Sequence, residues 1–162
     1  MFVQAISSAT ERLWIASPYF VPDEAVLKAL ELADLRGVDV RVLIPDEPDH
    51  LSVYLAAYTF LEELDHTDIG FYRYNNGFLH QKVMLIDDQL AVVGTHNLDN
   101  RSLRLNFEVA VLAVDEEFAA AVAAMLEEDF ARSRKMQPGE FMEKPWWFRL
   151  AARVARLTAP IL

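Results

Sequence analysis

Hydrophobic and polar positions along the chain switch between a two-residue and a helical period. LWIAS (13–17) is a short apolar run of strand length. Beyond Pro22, Asp23 is an N-cap candidate, and Val26, Leu27, Leu30 and Ala33 recur at helical spacing, predicting a helix to about Arg36 that Gly37 ends. VDVRVLI (38–44) is β-branched and apolar and predicts a strand. A second helix is expected over 49–66 and a third strand at IGFYRY (69–74), followed by NNG turn chemistry at 75–77. KVMLID (82–87) and LAVVGT (90–95) predict a hairpin closed by Asp87, Asp88 and Gln89. FEVAVLAV (107–114) reads as another strand, 115–134 as a helix, and roughly 140–157 as the last helix. Strands alternating with helices, several of them continuous apolar runs, imply an α/β fold: a mixed sheet flanked by helices on both faces.

The 162 residues suit one domain. The expected division is a catalytic domain over 1–139 and a basic amphipathic segment over 140–162. At 53% hydrophobic residues the chain can build a sizeable core. It has no cysteine, which excludes disulfides and thiolate metal sites and fits a reducing compartment. No apolar run is long enough for a transmembrane helix, and the first ten residues lack the basic start and apolar stretch of a signal peptide. The charge is uneven. Lys144–Leu162 holds one lysine, three arginines and no acid, so a net −10 leaves −14 on residues 1–143. An acidic body argues against nucleic acid as a partner, because nonspecific binding needs a basic surface.

The chemistry gathers at FLHQKVMLIDD (78–88). His80 and Lys82 are one residue apart before an apolar strand, so alternation puts them on one side, as an anion site would need. The spacing is His-x-Lys-x4-Asp, ending at Asp87. GTHNLDNRS (94–102) then sets Thr95, Asn97 and Arg101 where the chain leaves the sheet, the usual place for chemistry in α/β proteins. Glu108 brings a carboxylate into the next apolar run. Plainer readings stand beside these. His80 would be a structural histidine, Asp87 a turn residue, Asp99 a helix cap, and Arg101 and Arg104 surface charges. By alternation His96 points away from Thr95 and Asn97. His50 and His66, in acidic helical surroundings, read as surface residues.

His80, Lys82 and Asp87, with Gly94-Thr95-x-Asn97 and Glu108, resemble the phospholipase D superfamily. PYFVPDEAVLKAL (18–30), RGVDVRVLIP (36–45) and GTHNLDNRSLRLNFE (94–108) narrow the resemblance to the C-terminal catalytic half of bacterial cardiolipin synthases. It implies a phospholipase D-like sandwich in which two motif halves share one site. One histidine attacks phosphorus to form a phosphohistidine. The other protonates the leaving alcohol and activates the incoming one. The resemblance leaves the role of His80 open between these, with acid/base favoured. It implies Lys82 and Asn97 on the phosphate oxygens, Glu108 accepting from the far nitrogen of His80, Thr95 supporting the phosphate loop and Asp87 as structural. It implies neither a metal nor another cofactor. The implied reaction joins two phosphatidylglycerol molecules into cardiolipin and releases glycerol, in an enzyme peripheral to the cytoplasmic side of the cell membrane. The missing N-terminal motif half would lie elsewhere on the polypeptide, or a second copy of the chain would replace it. The alternatives are a single-motif phosphodiesterase or nuclease working as a homodimer, and a noncatalytic lipid-binding module on the same fold.

The tail, KPWWFRLAARVARLTAPIL, is expected to touch the membrane. Trp146 or Trp147, Leu150, Val154, Leu157 and Ile161 form one helical face, and Arg149, Arg153 and Arg156 another. Tryptophan settles at the headgroup level and arginine attracts anionic lipid. The competing reading docks this helix on the acidic body through its arginines.

Overall fold

A computed structural model describes residues 2–47 and 49–161, with Ile161 as backbone alone, so its expected place on the tail's apolar face lies outside the described side chains. In chain order the elements are α1 (Phe2–Ser8), β1 (Arg12–Ala16), β2 (Phe20–Val21), α2 (Glu24–Leu35), β3 (Asp39–Pro45), α3 (Leu51–Glu63), β4 (Gly70–Tyr74), β5 (Val83–Ile86), β6 (Leu90–Gly94), β7 (Leu98–Asp99), α4 (Asn100–Arg104), β8 (Ala110–Val114), α5 (Glu116–Ala131), β9 (Ser133–Lys135), α6 (Glu140–Glu143), α7 (Trp146–Arg156) and a 3₁₀ turn (Ala159–Ile161). Seven strands form one mixed sheet in the order β8-β6-β5-β1-β3-β4-β9, and β2 pairs with β7 in a small parallel sheet. β1, β3 and β4 run parallel, while β5, β6, β8 and β9 join antiparallel.

The alternation along each strand divides the core into two layers. Leu13 and Ile15 of β1, Val40, Val42 and Ile44 of β3, and Met84 and Ile86 of β5 face α1, α2 and α3. Trp14 and Ala16, Leu43, and Val83 and Leu85 face the other way, onto Ala119, Val122, Ala123, Leu126 and Phe130 of α5. Both faces are thus covered, as the sequence pattern implies. Asp23 caps α2 by accepting from Val26 N at 2.9 Å. Gly37 ends it at φ 81°, a left-handed position suited to glycine.

The departures have local causes. The expected 115–134 helix stops at Ala131, because Ser133–Lys135 supply antiparallel partners to β4, whose edge would otherwise be bare. The expected 140–157 helix breaks at Pro145, before which Lys144 is extended at ψ 149°. The expected 107–114 strand begins only at Ala110. The segment over 140–161 is no loose appendage. Phe141, Phe148 and Ala152 pack with Tyr58 of α3, and Asn100 Nδ2 donates to Ala159 O at 3.0 Å. Two of the tail arginines reach toward α3, with Arg153 still largely exposed. Arg156 pairs with Glu63 at 2.7 Å, its guanidinium carbon 4.0 Å from the Phe60 ring centroid, and Arg153 lies 3.7 Å from Glu62. Arg149 points at Met142 Sδ. The apolar stripe of Trp146, Trp147, Leu150, Val154 and Leu157 is left exposed.

Candidate active site

Strand direction decides where the motif residues meet. Val83 pairs with both Ala16 and Val93, and Gly94 pairs with Ala110. The start of β5, the end of β6 and the start of β8 therefore lie at the end of the sheet where the parallel strands β1 and β3 finish. His80 and Lys82 precede β5, Thr95 and Asn97 follow β6, and Glu108 precedes β8. All five gather at one edge. Asp87 does not join them. It begins the turn after β5, at the opposite end, with its backbone left-handed at φ 51°. Its carboxylate accepts from the backbone nitrogens of Thr10, Glu11 and Arg12 at 2.8–3.1 Å and from the Thr10 hydroxyl at 2.9 Å. Burial pushes this carboxyl up, but the hydrogen bonds outweigh burial and hold it below its ordinary value. Asp87 ties the chain entering β1 to the hairpin, and no reacting group is within its reach.

At the site end, Lys82 is buried and His80 exposed. Lys82 Nζ donates to the His80 carbonyl at 2.8 Å and stands 3.1 and 3.2 Å from its two ring nitrogens. Phe78 stacks on that ring with centroids 5.5 Å apart. Burial lowers the Lys82 ammonium from its ordinary value, against the pull of Glu108, Asp49 and Asp99. Glu108 differs from expectation. Its carboxylate accepts from the Thr95 hydroxyl and, at 3.0 Å, from Asn106 Nδ2, and these bonds lower its pKa. The ring of His80 is held by Lys82 and Phe78 instead. Thr95 braces the loop, its hydroxyl also accepting from Val109 N at 3.0 Å. Gly94 permits this approach, since a Cβ there would meet Val109 O at 2.5 Å.

Asn97 lines a cavity of about 290 Å³ with Arg101 on its wall, and Asn97 Oδ1 is buried without a partner. Arg101 Nε donates to Asn106 Oδ1 at 3.4 Å. Asp99 caps α4, accepting from Ser102 N at 2.6 Å, and Arg104 pairs with Asp23. His96 falls inward as alternation predicts. It is buried behind Lys82, 4.3 Å from the Phe2 ring centroid, and burial lowers its pKa. Sequence reasoning missed Tyr19 and His50, which line the same cavity as Asn97. The signal was topological: both sit in loops leaving the carboxyl ends of β1 and β3, where open α/β sheets bind ligands. Among the described residues no group of His, Asp and Glu converges as a metal ligand set, and no helix is long and apolar enough to cross a membrane.

Residues 2–130 match the family described as cardiolipin synthase, PLD-like domain. Cardiolipin synthase A of Pseudomonas aeruginosa (strain LESB58) is 56% identical over 99% of this chain and 33% of the relative. That of Pseudomonas putida (strain W619) is 52% identical over 99% of this chain and 34% of the relative. The chain thus spans about a third of the length of these relatives. The fold is similar to the phospholipase D family member Nuc from Salmonella typhimurium (TM-score 0.72, 22% identity, 84% of this chain and 88% of that one). It is also similar to the phosphatidylserine synthase of Haemophilus influenzae Rd KW20 (TM-score 0.80, 15% identity, 99% and 44%). With His80, Lys82, Thr95, Asn97 and Glu108 gathered at one sheet edge, residues 2–130 matching the family and 99% of its length aligned with these synthases, the chain belongs to the phospholipase D-like cardiolipin synthase family.

Proposed function

We propose that this chain supplies one half of a phosphatidyl-transfer site that makes cardiolipin and glycerol from two phosphatidylglycerol molecules. The observation that carries this reading is the trio at the sheet edge: a buried Lys82 ammonium in contact with an exposed His80, beside Asn97. A buried cation with no carboxylate in contact is costly unless an anion arrives, and a lipid phosphate is such an anion. Lys82 and Asn97 Nδ2 bind the non-bridging oxygens and stabilise the charge of the pentacoordinate phosphorus. Thr95 and Glu108 hold that loop rigid.

A histidine nitrogen attacks phosphorus, the P–N bond forms, and the P–O bond to glycerol breaks as the second histidine gives the leaving oxygen a proton. The hydroxyl of a second phosphatidylglycerol then attacks phosphorus, the P–N bond breaks, and the proton of that hydroxyl passes to the second histidine. His80 is one of the two, in the acid/base role. The other comes from the partner half, whose docking surface we place at the β8 edge. There Val109, Val111, Val114 and the fully exposed Phe107 offer apolar area beside an unpaired strand. Val111→Lys should weaken association of the two halves and lower activity with it, read by co-purification of separately expressed halves; unchanged co-purification removes this edge from the interface.

The exposed Trp146, Trp147, Leu150 and Leu157 stripe suits an interfacial membrane contact, with Arg156 paired to Glu63 of α3 and Arg153 still largely exposed beside it. The functional test is His80→Ala in the full-length synthase on phosphatidylglycerol vesicles, where loss of both cardiolipin and glycerol is expected.

A further inference from the structure

Two side chains outside the motif, Tyr19 and His50, line the cavity beside Asn97, and Asp49 stands behind Tyr19. Tyr19 leaves β1, and Asp49 and His50 close the loop between β3 and α3. Tyr19 Oη donates to Asp49 Oδ2 at 2.7 Å, and the His50 ring stands edge-on to Tyr19 with centroids 6.1 Å apart. Because its proton is committed to Asp49, the Tyr19 oxygen offers lone pairs to a ligand. Burial, the hydrogen bond to Asp49 and the charges of Asp49 and Asp99 all keep this phenol protonated. Across the cavity, Asn97 Oδ1 is buried without a hydrogen-bond partner, and the buried Ser102 hydroxyl is directed to Glu108. Unpaired buried polar atoms in a cavity wall are costly unless a ligand pairs with them.

The chemistry of the wall selects the ligand. Asp99 lines the cavity and Asp49 backs it, against one guanidinium, Arg101. Two carboxylates disfavour a second anion there, whereas acceptor atoms on Tyr19 and Asn97 favour a neutral molecule rich in hydroxyl donors. The cavity adjoins the phosphate position through Asn97, which lines the recess and stands at the same sheet edge as Lys82. A headgroup whose phosphate sits at Lys82 and Asn97 Nδ2 would extend its neutral end into this recess and meet Asn97 Oδ1 on the way.

We propose that the recess formed by Tyr19, His50, Asn97 and Ser102 binds the glycerol end of a phosphatidylglycerol headgroup, with Tyr19 and His50 as specificity-determining residues. This rests on the transferase reading above and deepens it. The glycerol has two sources: the leaving group of the donor lipid, or the attacking end of the acceptor.

The experiment uses the full-length synthase, wild type, Tyr19→Phe and His50→Gln, and measures two ratios. The acceptor ratio compares transfer from phosphatidylglycerol vesicles to labelled glycerol and to 1-propanol. The donor ratio compares cleavage of phosphatidylglycerol and of phosphatidylpropanol. Either ratio should fall by about tenfold in Tyr19→Phe, with a smaller fall in His50→Gln, because a site built around hydroxyls discriminates through paired polar groups. A fall in the acceptor ratio assigns the recess to the incoming glycerol; a fall in the donor ratio assigns it to the leaving one. A loss of overall rate that moves neither ratio is a structural effect and overturns the recess. Wild-type enzyme that makes no cardiolipin overturns the functional reading and the recess with it; wild-type turnover with both ratios unmoved overturns the recess alone.

Discussion

At one end of β5, the Asp87 carboxylate takes hydrogen bonds from three successive residues, Thr10, Glu11 and Arg12, and is fully engaged. At the other end, about 16 Å away by strand geometry, the Lys82 ammonium is buried against a histidine, and Asn97 Oδ1 has no partner. One short motif spans both ends. Its aspartate meets every demand within the fold, whereas its lysine and the nearby asparagine leave demands that the fold does not meet. The difference teaches that motif membership and site membership are separate properties. A satisfied group stabilises the structure; an unsatisfied one, held in place at some cost, is available to a ligand.

Substitutions at the two ends should therefore fail in different ways. The largest effect is expected for His80→Ala in the full-length enzyme: phosphatidyl transfer falls about a thousandfold or more, the scale of an essential acid/base or nucleophilic group. Its exposed position predicts an unchanged melting temperature. Lys82→Met should lower turnover by about a hundredfold through lost charge stabilisation. Removing a buried cation should also leave thermal stability equal or higher, so a clear drop in Tm would break the contrast.

Asp87→Ala inverts the pattern, costing about 3 kcal/mol of stability from lost charged hydrogen bonds while turnover per folded molecule persists. Denaturant unfolding paired with active-site titration reads both. Because the folded pKa of Asp87 lies below its ordinary 3.8, its contribution is present above that value and lost as pH falls through the folded value. Wild type and variant should therefore converge only in acid.

The smallest effect belongs to His96. Its folded pKa lies below the ordinary 6.5, so its contribution is full above 6.5 and declines as pH falls from there toward the folded value. Wild-type Tm should slope downward across that window, and His96→Gln should flatten the slope.

Much of this is legible in the sequence alone. The apolar periods locate both layers of the core, and the His80–Lys82 spacing locates the candidate site's edge, where both residues precede β5 and meet, Lys82 Nζ 3.1 Å from the His80 ring. Asp23 and Asp99 are readable as caps. What stays hidden depends on partners far away in sequence. α1 is short and is held by Ala5 and Ile6 packing under the sheet. The two-residue strands β2 and β7 exist only because they meet each other. Glu108 turns to Thr95 and Asn106 because Phe107–Val109 stay outside the strand. His50 is exposed, in keeping with its reading as a surface residue, but nothing in sequence reveals that the loop after β3 ends beside Asn97. The tail arginines turn to α3 because packing brings Glu62 and Glu63, distant in sequence, within reach of Arg153 and Arg156.

The most direct test of the central claim is product analysis on labelled phosphatidylglycerol vesicles, comparing the full-length wild-type enzyme with its His80→Ala variant. The account predicts cardiolipin and free glycerol in equal amounts from the wild type, and neither from a variant that folds with unchanged Tm. Continued cardiolipin formation by the folded variant would contradict it.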